Sequence, residues 1–159
     1  MRAMFLEFPN DPTCWTLEHQ YMFGDALMVA PVCEEGETTT IYFPEGRWQD
    51  IWNKETFTGP SWRKYHAPLH KIPVFQKCNT ILPLGPVRQH VSECQPEPLE
   101  LWAFVDERAD LTLRGDDRLL IVSAKRTAGE LETTVKRGNW LFNTIDRIQA
   151  DYHLSYEKY

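Results

Sequence analysis

Abundant aromatic residues, frequent proline and short apolar or alternating runs together predict a mainly β protein. The 159 residues include 6 Trp, 6 Tyr and 8 Phe, side chains that suit a pleated, half-buried surface. The 11 prolines interrupt the chain often, which fits short strands joined by turns better than a helical bundle. Strand-like runs follow one another with few helical patterns between them, the mark of an antiparallel sandwich. Hydrophobic residues at 42% and charged residues at 25% are those of an ordinary folded domain and argue against wholesale disorder. The length suits one domain or two small ones.

The elements follow in order. Residues 2–8 are apolar and end at Pro9-Asn10-Asp11-Pro12, a strong turn signal. Residues 16–23 are the best helix candidate: Thr16 can cap the start, Glu18 sits in the first turn, and Gly24 is placed to stop it. Residues 26–30 form a continuous apolar run, as expected for a strand covered on both faces. Residues 38–43 are β-branched and aromatic, and Pro44-Glu45-Gly46 reads as a turn. Residues 47–52 then alternate, with Trp48, Asp50 and Trp52 on one face and Arg47, Gln49 and Ile51 on the other. Gly59-Pro60 reads as a further break. Residues 72–75 and 80–84 are short apolar strands whose prolines suggest edges or bulges. A polar, aperiodic stretch between Gly85 and Pro98 reads as a linker. Beyond it, residues 99–105, 119–124, 130–136 and 140–148 read as strands of a small all-β module, with Gly129 and Gly138 as turn residues.

Charge and motifs exclude several function classes. With 17 Lys+Arg against 23 Asp+Glu the formal net charge is −6, which argues against a nucleic-acid partner. The longest apolar stretch, residues 26–33, is far shorter than the roughly 20 residues that span a bilayer, so no membrane partner is expected. There is no signal-peptide pattern and no Asn-x-Ser/Thr acceptor, and the sequence assigns no compartment. Cys14, Cys33, Cys78 and Cys94 form no C-x-x-C pair and read as buried free thiols. His66 and His70 have the spacing of a zinc-binding helix, but Pro68 between them breaks such a helix. No metal site and no cofactor are implied.

Candidate catalytic groups are equally plain. Asp106-Glu107 and Asp116-Asp117 are neighbours in turn-like segments and read as solvated pairs. Asp25 follows Gly24 and reads as turn chemistry rather than catalysis. No G-x-S-x-G elbow and no phosphate-binding glycine loop occurs. Trp48, Trp52, Trp62, Trp102 and Trp140 could stack on sugar rings. Packing is the favoured reading, with Trp48 and Trp52 as core.

Several uncommon blocks occur in a fixed order. They are Arg2, the Phe8-Pro9-x-Asp11 turn, Gln20-Tyr21-Met22-Phe23-Gly24-Asp25, Val29-Ala30-Pro31-Val32, the Phe43-Pro44-Glu45-Gly46-x-Trp48 hairpin and Asn79-Thr80-Ile81-Leu82-Pro83. Over residues 1–86 these blocks resemble the C-terminal part of glycoside hydrolase family 31, the α-glucosidase and α-xylosidase family. Met-Arg-Ala-Met with Asn-Thr-Ile-Leu-Pro-Leu-Gly is closer to the α-xylosidase branch. Residues 99–159 are loosely similar to the family's distal β-domain.

The resemblance implies the last segment of a (β/α)8 barrel at residues 1–24, a proximal antiparallel β-sandwich at 25–90 and a distal β-module at 91–159. It also implies a retaining α-glycosidase, which uses two carboxylates about 5–5.5 Å apart. In the family these lie on earlier barrel strands, and no aspartate here matches their motifs. No catalytic, cofactor-binding or metal residue is therefore assigned. The expectation is a C-terminal portion of an α-xyloside or α-glucoside hydrolase, the product of a truncated or partial gene, inactive alone, whose parent binds carbohydrate. Residues 1–8 would then be an orphan barrel strand. Residues 26–32 would expose a barrel-facing patch that invites self-association. The alternative is a non-catalytic carbohydrate-binding β-sandwich or an accessory subunit.

Overall fold

Residues 1–8 do not form an orphan strand. In the structure, a computed structural model that describes residues 1–85, 87, 89–90, 99–114, 119–138 and 145–150, strand β1 (Arg2–Ala3) pairs antiparallel with β2 (Tyr21–Phe23). A single helical turn, α1 (Met4–Glu7), then buries Met4 completely. A 3₁₀ turn follows at Pro12–Trp15, where the Asp11 side chain accepts the Thr13 amide at 3.0 Å and Pro12 supplies a preset first position.

The helix expected at residues 16–23 is absent, because strand pairing overrides its capping signals. Gln20 and Met22 are buried while Phe23 is exposed, a period of two rather than 3.6. Gly24, at φ +65°, turns the chain so that β2 meets β3 (Leu27–Val29), with Met22 opposite Met28 and both fully buried. So short a helix gains little by itself, whereas the hairpin closes two methionines into the core.

Three longer strands complete the sheet: β4 (Thr38–Asp50), β5 (Thr56–His66) and β6 (Val74–Lys77). The order is β1-β2-β3-β6-β4-β5, with every neighbouring pair antiparallel. β3 is internal, and Met28, Val29 and Ala30 are 0%, 9% and 3% exposed, so the apolar patch expected there does not form. β6 is internal as well. Pro73 lies just before it and uses its carbonyl to accept the Ala30 amide at 3.0 Å, so the proline removes no ladder bond. The core gathers Met22, Met28, Ile41, Phe43, Trp48 and Phe75. Within it the Phe43 ring stacks on Phe57 at 4.6 Å and meets Phe75 edge-on at 4.9 Å.

Neither Pro44-Glu45-Gly46 nor Gly59-Pro60 breaks its strand. β4 passes through the first as a bulge, the register shifting between Phe43 and Gly46, and β5 passes through the second on the opposite side. Gly46, at φ +117°, takes the bulge conformation. Gly59 lies directly under the bulge carbonyls: a Cβ there would sit 2.0 Å from the Pro44 oxygen and 2.3 Å from that of Phe43.

The chain divides into two compact units, Met1–Cys78 and Asn79–Tyr159. The second holds β7 (Thr80–Leu84), β8 (Leu99–Phe104), β9 (Arg108–Arg114), β10 (Leu119–Thr127), β11 (Glu130–Gly138) and β12 (Ile145–Ala150). One sheet has the order β11-β10-β9 and is antiparallel. The other has the order β12-β8-β7, with β12 parallel to β8 and β7 antiparallel to it. β7 is an edge strand, where Pro83 is tolerated. Leu120, Val122 and Ala124 alternate inward from β10 onto Ile81, Leu101 and Ala109. β9 carries a weak sequence signal, because its buried residue at one end is a small alanine, Ala109, between the charged Arg108 and Asp110.

The Asp106-Glu107 turn has an unforeseen partner. Asn79, at φ +61°, accepts the amides of Asp106 and Glu107 on its Oδ1 at 2.9 and 3.0 Å. Asp116-Asp117, Cys94, Trp140 and most of the linker stretch lie outside the described residues.

Two stability outcomes follow from these close approaches. Gly59→Ala is expected to lower unfolding free energy by at least about 2 kcal/mol, since the obstructing atoms are backbone. Denaturant unfolding measures it, and a neutral substitution would contradict the bulge geometry. Asn79→Ala is expected to cost about 0.5–1.5 kcal/mol, while Asn79→Asp, which keeps the acceptor and tolerates positive φ, costs less.

Candidate functional site

Arg2 is the hub of a polar knot at the start of the chain. The β1–β2 pairing sets it beside the Gly24 turn, and the single turn of α1 brings Glu7 back to it. Its Nη2 donates to Glu7 Oε2 at 2.8 Å, to Asp25 Oδ1 at 2.8 Å and to the Gly24 carbonyl at 3.3 Å. Lys77 closes the knot: its Nζ lies 3.3 Å from Glu7 Oε1 and 5.0 Å from the centre of the Phe8 ring. Glu7 and Asp25 are thus two carboxylates on one nitrogen. Asp25 is a turn and ion-pair residue, as its sequence context suggests, whereas Glu7 carried no local signal because its partners are distant in sequence.

A cleft of about 430 Å³ opens next to this knot, between the Pro9–Pro12 loop and Tyr42, Glu45 and Pro60. Tyr42 is held from two sides. Its hydroxyl donates to Asp11 Oδ2 at 2.7 Å. The buried Gln20 amide accepts its backbone N–H at 2.9 Å and donates to its carbonyl at 2.8 Å. Burial opposes ionisation of Asp11, but hydrogen bonds from Tyr42, the Thr13 amide, Cys14 and the Thr13 hydroxyl outweigh it and hold the carboxyl below the usual carboxylate range. Burial, then the Asp11 charge and hydrogen bond, push the Cys14 thiol up to about 12, so it is no nucleophile at neutral pH. Burial and Asp11 raise the Tyr42 phenol in the same way.

The remaining sequence candidates are scattered. The His66 side chain is 68% exposed, with Glu37 at 3.8 Å, and His70 lies in a separate turn. Among the described residues no three His, Cys, Asp or Glu side chains gather as a metal site, and no helix is long and apolar enough to cross a membrane. Cys14 is buried, but Cys33 is exposed and Cys78 is half-buried, so the reading of uniformly buried thiols fails for those two.

The tryptophans divide. Trp48 is fully buried, its Nε1 donating to the Pro44 carbonyl at 3.0 Å. Trp52 is 49% exposed rather than core, because β4 ends at Asp50 and the alternation ends with it. The buried Asp50 carboxylate turns the chain there, accepting the Trp52 amide at 2.7 Å and the Tyr65 hydroxyl. Trp62 is 52% exposed and tilts against Tyr42 with ring centroids 5.0 Å apart. Trp102 is half-buried and donates to Glu100 at 2.9 Å.

Residues 1–82 match the glycosyl hydrolase family 31 C-terminal domain. The chain belongs to glycoside hydrolase family 31. It is 32% identical over 172 residues to the mouse (Mus musculus) lysosomal alpha-glucosidase, covering 94% of this chain. It superposes on the family 31 dextranase of Flavobacterium johnsoniae, solved with glucose, with TM-score 0.79 and 33% identity over 84% of the chain. An alpha-xylosidase from Xanthomonas citri matches with TM-score 0.77 and 26% identity over 94% of the chain. The chain spans 18% of the length of each of these three relatives. Glucosidase and xylosidase relatives of family 31 both appear, so the branch is not resolved, and of the two solved relatives the dextranase was captured with glucose. The mainly β, sheet-dominated structure agrees with the family's C-terminal β region.

The clasp on Tyr42 has a measurable signature. Asp11 titrates below its unfolded value, so its contribution to stability is complete above that value and is lost as pH falls through the folded one. Tyr42→Phe removes the phenol hydrogen bond that favours the carboxylate. Carbon-detected NMR titration is expected to show the Asp11 midpoint raised, with stability at neutral pH lower by about 1–2 kcal/mol. An unmoved midpoint would contradict the clasp.

Proposed function

We propose that this chain is the C-terminal part of a retaining α-glycosidase whose catalytic carboxylates are supplied by other segments of the parent protein. Residues 1–24 close the catalytic barrel, residues 25–90 form the proximal β domain and residues 91–159 the distal one. The substrate is an α-xyloside or α-glucoside. The observation that carries this reading is the family match over residues 1–82, in a chain that spans 18% of the length of its relatives.

The chemistry of the chain's own acids supports it. Retaining hydrolysis needs one carboxyl group to protonate the leaving oxygen and a second to attack the anomeric carbon. Glu7 is tied to Arg2 and Lys77, Asp25 to Arg2, and Asp11 to Tyr42 and Thr13. Asp50 is fully buried against Tyr65. Each is spent on structure. The role left to this chain is mechanical: it braces the end of the barrel and sets the surface on which the catalytic loops rest. Self-association through apolar surface that the barrel would cover belongs to the same reading, with Leu6, Trp15 and Phe23, each more than half exposed, as the surface concerned.

The test is direct. The purified chain, incubated with aryl α-glucoside and aryl α-xyloside, is expected to release no phenol above background. Turnover that disappears in Asp25→Asn or Glu7→Gln would place the chemistry inside this chain and overturn the proposal.

A further inference from the structure

In the β4–β5 ladder Trp62 lies opposite Tyr42, and Pro60, two residues earlier, projects to the same side of β5. Tyr42 and Pro60 both line the cleft of about 430 Å³; Trp62 does not line it, but its ring lies against that of Tyr42 with centroids 5.0 Å apart. That volume is within the about 300–1,000 Å³ of small-ligand pockets. The indole is 52% exposed yet fixed by its contact with Tyr42, itself clasped by Gln20 and Asp11. A large ring held in place before binding loses little freedom when a ligand stacks on it.

The polar groups around the ring select the ligand. Among the described residues no Lys or Arg lines the cleft, so an anion finds no cation in its lining. A cation fares little better, because Glu7 is already neutralised by Arg2 and Lys77 while Asp11 is engaged by Tyr42 and Thr13. Two exposed groups keep their hydrogen-bonding capacity: the Asn10 amide, with two donors and an acceptor, and the Glu45 carboxylate. An aromatic face beside a free amide and one unpaired carboxylate, itself a strong acceptor for hydroxyl groups, suits a ring apolar on its faces and hydroxylated around its edge.

We propose that this cleft binds a pyranose ring of an α-linked oligosaccharide without cleaving it, the sugar stacking on Trp62 and its hydroxyls bonding to Asn10 and Glu45. The preference for a hydroxyl-rich ring comes from the cleft. The choice of α-linked sugars rests on the function proposed above.

The experiment titrates the full chain with maltotriose and with isomaltotriose, followed by tryptophan fluorescence and by calorimetry. Saturable binding is expected for at least one of them. Trp62→Ala should weaken it at least about tenfold, the worth of one ring contact. Asn10→Ala, an exposed loop change with no bearing on folding, should weaken it about threefold to tenfold. Trp52→Ala, which alters an exposed indole beyond the end of β4, should leave affinity unchanged. Circular dichroism checks the fold of each variant, and Asn10→Ala keeps the test decisive if Trp62→Ala is unstable. The proposal falls if neither sugar saturates at tens of millimolar, if both variants keep full affinity, or if lysyl-lysine saturates the site in place of sugar. Failure of binding leaves the inactive-segment reading standing, whereas hydrolysis traced to Asp25, which does not line the cleft, would sink that reading and not this one.

Discussion

The amide of Gln20 stands in for a missing strand. β6 pairs with β4 only at Trp48, Gln49 and Asp50, so the same flank of β4 at Tyr42 has no neighbouring backbone to complete its ladder. Buried backbone groups left without partners cost about 1–3 kcal/mol each. A primary amide carries both a donor and an acceptor, and Gln20 offers one to the Tyr42 carbonyl and the other to the Tyr42 amide. With its backbone satisfied, Tyr42 can turn its phenol to Asp11 and its ring face to Trp62. The Pro9–Pro12 loop, the cleft and the orientation of the exposed indole all depend on that one residue being held.

How much of this was legible in the sequence depended on how local the deciding interaction is. Leu120, Val122 and Ala124 alternate within one segment, and the strand was readable from the segment alone. The bulge was not. Pro44-Glu45-Gly46 and Gly59-Pro60 carry turn chemistry, and a bulge asks for the same residues as a turn. Only their position opposite one another in the ladder turns two apparent breaks into one bent ribbon. Residues 16–23 failed for a related reason: Thr16, Glu18 and Gly24 are genuine helix-end signals, but their worth of a few tenths to about 1 kcal/mol is small beside the burial of Met22 against Met28.

The candidate site divides along the same line. Asp25 could be read as a turn residue from Gly24 beside it, and Pro68 was enough to separate His66 from His70. The division between Trp48 and Trp52 could not be read. Alternation predicts one face for both, and it is the buried Asp50, capping the turn with its own carboxylate, that ends the strand between them. Trp62 was ambiguous until β5 was known to lie at the edge of the sheet, with Tyr42 as its cross-strand neighbour. Glu7 and Lys77 are 70 residues apart and meet only because β6 runs through the middle of the sheet.

The blocks that mark the family are, in this chain, the residues that close backbone geometry. Asp11 of the Phe-Pro-x-Asp turn caps the 3₁₀ turn and ties it to β4. Gln20 completes β4 where no strand reaches it. Gly46 permits the bulge, whose carbonyls rest on Gly59, and Asn79 gathers the two amides of the Asp106-Glu107 turn. Such positions admit few side chains, because a carbonyl 2.0 Å from a notional Cβ, or two amides that need one acceptor at a positive-φ position, discriminates sharply. A fingerprint made of them reports the fold with high fidelity and says little about the reaction. That asymmetry is why a resemblance over residues 1–82 settles family membership while glucosidase and xylosidase relatives remain equally compatible: the groups that choose between sugars are not the ones that hold this scaffold together.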